Sequence, residues 1–134
     1  MTYEEKISWL SRYREAEKLY QRLSYRLAEA QEATRHITQS LSAAPGGSKD
    51  GQSLARAVER EEEAERRAYA QLAVCDALFE EIDAVLLQLD NKAYCALRKY
   101  FLNCQTWEQV AHDMNVSTRR IYFLRQRAIE QLEI

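Results

Sequence analysis

The segment Thr106–Leu132, TWEQVAHDMNVSTRRIYFLRQRAIEQL, decides the fold of the C-terminal part of the chain. Thr106 and Gln109 have the spacing of a capping box, so the sequence predicts that a helix begins directly after Thr106. Asn115 tolerates the left-handed backbone conformation that ends a helix sharply. Ser117 is a suitable N-cap for the next helix. The segment therefore predicts two short helices joined by a tight turn, which is the outline of a helix-turn-helix unit.

Each of these two predicted helices has one apolar face. The inward residues of the first are spaced at i, i+3, i+4 and i+7 and are Trp107, Val110, Ala111 and Met114. The inward residues of the second are Ile121, Leu124, Ala128 and Leu132. This periodicity is typical of amphipathic helices that share a core. Because the side chain of Ala111 is small, we expect the two helices to cross closely.

The second of these helices, residues 117–131, is strongly basic. Residues 117–129 include four arginines, at positions 119, 120, 125 and 127, and no acidic residue. Arginine can neutralise a phosphate or read a guanine edge, Gln126 can read adenine, and Phe123 can contact a thymine methyl group. The residues predicted to contact DNA in the major groove are Ser117, Thr118, Arg119, Arg120, Tyr122, Phe123, Gln126 and Arg127. The alternative interpretation is a solvated basic face on a small structural bundle.

The charge of the chain is unevenly distributed. The 134 residues have a net charge of −2, but residues 1–89 contain 12 basic and 16 acidic residues, whereas residues 90–134 contain 7 and 5. We therefore expect the C-terminal part to contact nucleic acid. The N-terminus carries Glu4 and Glu5 and no long apolar run, so neither a signal peptide nor a membrane span is expected.

No group of residues predicts catalysis or metal binding. His36 and His112 are far apart in the sequence, and the glycines at 46, 47 and 51 do not form a phosphate-binding loop. Cys75, Cys95 and Cys104 are odd in number and lack C-x-x-C spacing, which is typical of reduced thiols in a cytoplasm. We expect no enzymatic activity, no cofactor and no metal, and a cytoplasmic location.

Residues 1–89 predict two long helices around a connector. Residues 42–52 contain the only proline and all three glycines, and both flanks are rich in helix formers, so helices are predicted over about 3–41 and 53–89. A heptad pattern, which favours coiled-coil packing, runs through both helices. Its positions in the first helix are Trp9, Tyr13, Ala16, Tyr20, Leu23, Leu27, Ala30, Thr34, Ile37 and Leu41. Those in the second helix are Leu54, Val58, Glu61, Glu65, Ala68, Leu72, Cys75, Phe79, Ile82, Leu86 and Leu89.

The two predicted helices have similar lengths, which favours an antiparallel hairpin. Folding the chain about residue 47 predicts a register in which small side chains face large ones. The predicted pairs are Trp9 with Leu86, Ala16 with Phe79, Leu27 with Ala68, and Thr34 with Glu61. Two helices alone bury little apolar surface. We expect the arm to pack on a second copy of the chain, on RNA polymerase or on its own C-terminal domain, and the sequence leaves these alternatives open.

A further helix is predicted between the arm and the helix-turn-helix unit. Asp90 is a suitable N-cap, and Tyr94, Leu97 and Phe101 share one face of the segment that follows. Its basic residues at 98 and 99 are predicted to reach a neighbouring phosphate. Asn103–Cys104 supplies the turn before Thr106.

The segment Leu97–Leu132, LRKYFLNCQTWEQVAHDMNVSTRRIYFLRQRAIEQL, resembles the sigma-70 region 4-like domain. The chain is more similar still to the ArpU-like transcriptional regulators of phages and prophages of low-GC Gram-positive bacteria. Those proteins share the two-helix arm, the glycine-rich connector found here at 45–48, and the LN-x-x-TWE-x-(V/I)A segment found at Leu102–Ala111. The resemblance is specific only from about residue 90 onward.

The resemblance implies DNA binding in the control of phage late or packaging genes, in contact with RNA polymerase, inside a bacterial host cell. It does not imply a complete sigma factor, because no segment matches the other sigma regions. Cys104 stands where the family usually has a turn glycine, and we expect Asn103 to adopt the left-handed conformation instead. Tyr122 and Phe123 stand where sigma factors place arginine and glutamine, so reading of a −35 element is not implied.

The sequence as a whole predicts an all-α protein. Residues 1–89 are predicted to form an antiparallel coiled-coil arm, and residues 90–134 a three-helix domain of the sigma region 4 type. The expected function is sequence-specific binding of double-stranded DNA in transcription regulation. The alternative is a coiled-coil adaptor that docks on a protein such as RNA polymerase without reading DNA itself. The operator, the choice between activation and repression, and the oligomeric state stay open.

Overall fold

The computed structural model describes residues 1–43 and 48–134, and within these ranges it contains helices and no strand. The helices are α1 Tyr3–Leu10, α2 Arg12–Ala43, α3 Ser48–Leu86, α4 Asn91–Phe101, α5 Trp107–Asp113 and α6 Thr118–Gln131. The all-α prediction is therefore confirmed. Across the described ranges, none of these helices combines the length and the apolar composition needed to cross a membrane.

The ends of the long helices differ from the predicted ones. The helix predicted over 3–41 is interrupted at Ser11, where Arg12 Nε donates a hydrogen bond to the carbonyl oxygen of Trp9 at 2.9 Å. The connector predicted over 42–52 is wrong at both ends, because residues 42–43 and 48–52 are helical. A single glycine such as Gly51 costs an exposed helix only about 1 kcal/mol, which long flanking helices tolerate. The rest of the predicted connector, residues 44–47, lies outside the described residues.

The chain divides into two compact units, one formed by residues 1–16 and 75–134 and the other by residues 17–74. The sequence instead predicts a boundary at residue 90. The difference arises because both ends of the long-helix segment contribute to the core of the first unit. Leu10, Ile82 and Leu86 are fully buried there, and each such side chain contributes about 1.5–3 kcal/mol when it is removed from water.

The core of the first unit is assembled from five helices, with α1 packing against α6 and α4 against both α5 and α6. Its fully buried side chains include Leu10, Ile82, Leu86, Leu97, Phe101, Val110, Ile121, Ile129 and Leu132. Around Tyr13 the start of α2 runs antiparallel to the end of α3, since Arg12 pairs with Glu81 at 3.1 Å and Tyr13 contacts Phe79.

One contact between these helices is not among the predicted pairs. The predicted partner of Phe79 is Ala16, whereas the ring of Phe79 packs edge-on against Tyr13, one helical turn earlier, with ring centroids 5.5 Å apart. An aromatic pair in this geometry adds about 0.5–1.5 kcal/mol beyond area burial. A comparison of side-chain volumes does not reveal this aromatic contact.

In the second unit, residues 17–74, the burial pattern follows the predicted heptads with one exception. The predicted positions of α2 between 20 and 37 are all half-buried, and in α3 Ala68 is buried. Glu65 is wrong as an inward position, because its side chain is exposed and Ala64, one residue earlier, is half-buried in its place. A carboxylate without a partner is costly to remove from water, so the helix presents its alanine inward.

Candidate nucleic-acid interface

The turn between α5 and α6 is held by local hydrogen bonds. Thr106 caps α5, since its Oγ1 accepts from the Gln109 amide at 3.1 Å and its own amide donates to Gln109 Oε1 at 2.9 Å. Ser117 caps α6 by accepting from the Arg120 amide at 3.1 Å. Asn115 lies between the two helices with a φ of 60°. The capping box, the left-handed residue and the second cap predicted from the sequence are all confirmed.

The side of α6 that faces the core contains one residue more than predicted. Ile121, Ala128 and Leu132 are buried as expected, and Leu124 is half-buried. Ile129 is also fully buried. The reason is α1, which packs against α6 and places Lys6 Nζ near the carbonyl oxygens of residues 129 and 130 at 3.3 and 3.2 Å. The sequence pattern alone gives no sign that an N-terminal helix covers this side.

The opposite side of α6 presents all of the predicted contact residues to solvent. The exposed residues are Ser117, Thr118, Arg119, Arg120, Tyr122, Phe123, Gln126 and Arg127. Phe123 is the most prominent apolar group among them, with 61% of its surface exposed, and the guanidinium of Arg127 lies 5.8 Å from its ring centroid.

Arg125 does not belong to this exposed surface. Its guanidinium lies 5.4 Å from the ring centroid of Trp107 and 4.9 Å from that of Tyr122, and its Nε is buried without a hydrogen-bond partner. Tyr122 in turn donates a hydrogen bond from its hydroxyl to Glu108 at 3.3 Å. The contact residues predicted from the sequence do not include Arg125, and its position against these rings agrees with that. Three of the four arginines, at 119, 120 and 127, are available to a ligand.

The side of the domain behind α5 is fixed by a stack of four side chains. The guanidinium of Arg14 lies 4.1 Å from the ring centroid of Tyr100, and this ring is stacked on Trp107 at 4.1 Å. The guanidinium of Arg125 also lies against the indole, 5.4 Å from its ring centroid. Arg14 also donates to the carbonyl oxygens of Tyr100 and Gln105 at 2.5 and 3.2 Å. The stack therefore joins α2, α4, α5 and α6.

The phosphate contacts predicted for Arg98 and Lys99 are not supported by the geometry. Arg98 Nη1 lies 3.2 Å from Asp83 Oδ1 and donates to the hydroxyl of Tyr94, which itself donates to Asp83 at 2.7 Å. The hydrogen bond from Arg98 to Tyr94 raises the pKa of this arginine, and the charge of Asp83 adds to the effect. Lys99 Nζ lies 3.9 Å from Asp113 Oδ2. Both cations therefore have an acidic partner within the first unit.

The turn between α4 and α5 differs from the predicted one at a single residue. The sequence assigns the left-handed conformation to Asn103, whereas Cys104 has it, with a φ of 58°. The hydrogen bonding of α4 continues beyond Phe101, since the amides of Leu102 and Asn103 both donate to the Arg98 carbonyl oxygen. The chain can reverse only after these bonds are made.

A groove of about 690 Å³ flanks α6 on the side of α4, and we call it the α4–α6 groove. Its lining residues are Asp90, Lys92, Ala93, Ser117, Arg119, Arg120, Phe123, Leu124, Arg127, Ala128 and Gln131. Lys92 is the one cation there that sequence reasoning missed. Its position beside the arginines follows from the way α4 crosses α6, which local sequence does not encode.

No family model, curated protein or solved structure matches the chain. Within the described ranges, no group of three histidine, cysteine, aspartate or glutamate side chains is arranged to hold a metal ion.

Proposed function

We propose that the chain is a non-enzymatic, sequence-specific DNA-binding regulator of transcription, of the ArpU-like phage or prophage type. In this proposal, residues 90–134 form a helix-turn-helix domain of the sigma region 4 type. The helix α6 lies in the major groove of double-stranded DNA, and Ser117–Arg127 supply the contacts. Bacterial cytoplasm is the proposed location.

The observation that carries the proposal is the exposed side of α6. Its inward residues Ile121, Ala128 and Ile129 are buried in the core, while eight residues with phosphate- or base-binding chemistry are exposed on the other side. Protruding, rigidly mounted helices of this kind are how helix-turn-helix proteins enter the major groove, and they use mainly the N-terminal residues of the helix. Glu130 lies near the C-terminal end of α6, where Gln126 donates to it at 3.3 Å. We expect this acidic end to lie outside the groove.

The proposal includes the arm. Residues of α2 and α3 between 17 and 74 are proposed to form an antiparallel coiled coil, because their burial follows heptad positions. Such an arm can present the DNA-binding domain next to a second copy of the chain or next to RNA polymerase. A homodimer would bind two half-sites with a fixed separation.

The proposal is tested with the full chain and a random-sequence DNA duplex at low salt. We expect the wild type to retard the duplex, and Arg119→Ala/Arg120→Ala to lose most of the affinity because phosphate neutralisation dominates non-specific binding. The matched control is Arg22→Ala/Arg26→Ala, which removes the same charge from exposed positions of the arm. Equal binding by both double variants would remove α6 from this role. If the wild type binds as expected, selection of bound duplexes from a random library would identify the operator.

The second candidate function is a coiled-coil adaptor that binds a protein and no DNA. The observation in its favour is the exposure of Tyr25 and Tyr69, which present 68% and 63% of their surface in the unit formed by residues 17–74. Aromatic side chains are enriched at protein interfaces. Lack of any retardation of duplex DNA at low salt would favour this candidate over DNA binding.

A further inference from the structure

We infer that the α4–α6 groove seats the sugar–phosphate backbone of one strand of duplex DNA, with Lys92 as a phosphate contact that lies outside α6. The inference rests on the proposed function and deepens it. It names which flank of α6 holds a DNA strand, and it assigns a role to a helix that is not part of the predicted contact surface.

The geometry of the groove provides two facing walls. One wall is a row along α6 in which Arg120, Leu124 and Arg127 are spaced by four and three residues and therefore lie on one side of the helix. The other wall is the first turn of α4, which contributes Lys92 and Ala93. Arg120 and Arg127 are about 10 Å apart along the helix axis. They can therefore bind different phosphates of the same strand.

The charge of the groove fits a polyanion. Four cations line it, and the single carboxylate is that of Asp90, which accepts a hydrogen bond from the Ala93 amide at 2.9 Å as the N-cap of α4. In the part of the chain that the structure describes, Lys92 and Arg119 form no ion pair with an acidic side chain. Their charge is therefore not paired within the protein and remains available to an anionic ligand.

The other flank of α6 lacks this excess of cations. On the α5 side, Tyr122 is hydrogen-bonded to the carboxylate of Glu108, and Arg125 is held between the rings of Trp107 and Tyr122. If α6 enters the major groove, the backbone of one DNA strand lies next to four cations. The backbone of the other strand lies next to side chains that already contact each other within the protein. We therefore expect phosphate contacts to be concentrated on one strand.

The floor of the groove indicates DNA rather than RNA. This floor is the apolar part of the lining, which comprises Phe123 and Ala128 together with the wall residues Leu124 and Ala93. Deoxyribose carbons can pack on such a floor, whereas a ribose would bring a 2′-hydroxyl to it and lose the hydration of that group. The major groove of A-form RNA is also too deep and narrow for side chains of a helix to read.

The test measures how the affinity of the full chain for a random-sequence DNA duplex depends on salt concentration. Each phosphate contact contributes about 0.9 to the slope of log K against log salt concentration. We expect Lys92→Gln to lower this slope by about 0.9 and Lys92→Arg to keep it. Arg22→Gln removes one exposed charge from the arm, and it should leave the slope unchanged. Circular dichroism of each variant checks that the helices are retained.

Asp90→Asn provides a test of opposite sign. Asparagine caps a helix as well as aspartate does, so the fold is kept while the only negative charge of the groove is removed. We expect this variant to bind DNA more tightly than the wild type, by on the order of threefold at low salt. Unchanged or weaker binding by folded Asp90→Asn would contradict the proposed seat.

The outcomes separate this inference from the proposed function. If Arg119→Ala/Arg120→Ala loses affinity while Lys92→Gln keeps the wild-type slope, α6 binds DNA and the groove does not hold a strand. If the wild type does not bind duplex DNA at low salt, both proposals fail. Equal affinity for duplex RNA or for polyglutamate, with the same dependence on Lys92, would assign the groove to polyanions in general and overturn the assignment to DNA.

Discussion

The rings of Tyr100 and Trp107 are stacked with their centroids 4.1 Å apart and their planes 9° from parallel. Tyr100 is near the end of α4 and Trp107 is the first residue of α5, so this contact sets the angle at which the two helices meet. Because α6 packs on both of them, the stack also determines where the exposed side of α6 points.

Trp107→Ala should destabilise the first unit by about 3–5 kcal/mol, the range for removal of a buried large aromatic side chain. The indole is buried and contacts Tyr100, Phe101 and Arg125. Urea unfolding followed by circular dichroism measures the loss. Phe123→Ala is the control, because this ring is mostly exposed, and it should change stability by no more than about 0.5 kcal/mol. Similar losses in the two variants would contradict the packing described for Trp107.

Arg125 and Arg127 should differ in what they contribute. Arg125→Gln should lower stability by about 1–3 kcal/mol, because it removes a partly buried cation that covers two aromatic rings, and should leave the salt dependence of DNA binding unchanged. Arg127→Gln should leave stability nearly unchanged and lower the slope of log K against log salt by about 0.9. Thermal melting and a salt titration of DNA binding measure the two effects. If Arg125→Gln lowered the slope and Arg127→Gln lowered the stability, Arg125 rather than Arg127 would be assigned to the DNA contact.

A peptide of residues 90–134 should not fold by itself. Its buried surface is completed by Leu10 and Leu86, and Lys6 Nζ lies 3.3 Å from the Ile129 carbonyl oxygen at the end of α6. Far-ultraviolet circular dichroism of the peptide should show little helix. In the full chain, Leu10→Ala should cost about 2–5 kcal/mol. A cooperative thermal transition of the isolated peptide would show that residues 1–89 are dispensable for the fold.

Cys104→Gly should stabilise the chain by about 1 kcal/mol. A side chain in the left-handed region costs about 1–2 kcal/mol, and glycine removes this cost at some expense in unfolded-state entropy. Asn115→Gly is the matched control, since asparagine tolerates the conformation that both residues adopt. Its gain in urea unfolding should be smaller. A loss of stability in Cys104→Gly would indicate that the thiol makes contacts worth more than the strain.

The features that the sequence predicted correctly depend on neighbours within a few residues. The caps formed by Thr106 and Ser117 and the left-handed Asn115 are of this kind, and so is the exposure of the predicted residues of α6. Hydrogen bonds between residues three or four apart follow directly from residue identity and spacing. For this reason, the local outline of the two helices could be predicted without tertiary information.

The features that were missed depend on residues that are distant in sequence. The sequence predicts Arg98 as a phosphate contact, whereas in the structure Asp83 and Phe79 of α3 lie beside it. Lys92 joins the α4–α6 groove only through the crossing of two helices. Charge and periodicity give no information about such crossings, so the pattern identified the cations but not their partners.

The contact between Lys6 and Ile129 spans 123 positions of the chain, and this separation affects the order of folding. Contacts between distant residues are slow to form because the intervening loop must first be closed. Antiparallel pairing of α2 with α3 would close most of that loop and bring Leu10 towards Ile82 before α6 arrives. During synthesis, α1 can pack against α6 only after α6 has left the ribosome. We expect the long helices to form early and the proposed DNA-binding surface of α6 to be the final part of the molecule to become ordered.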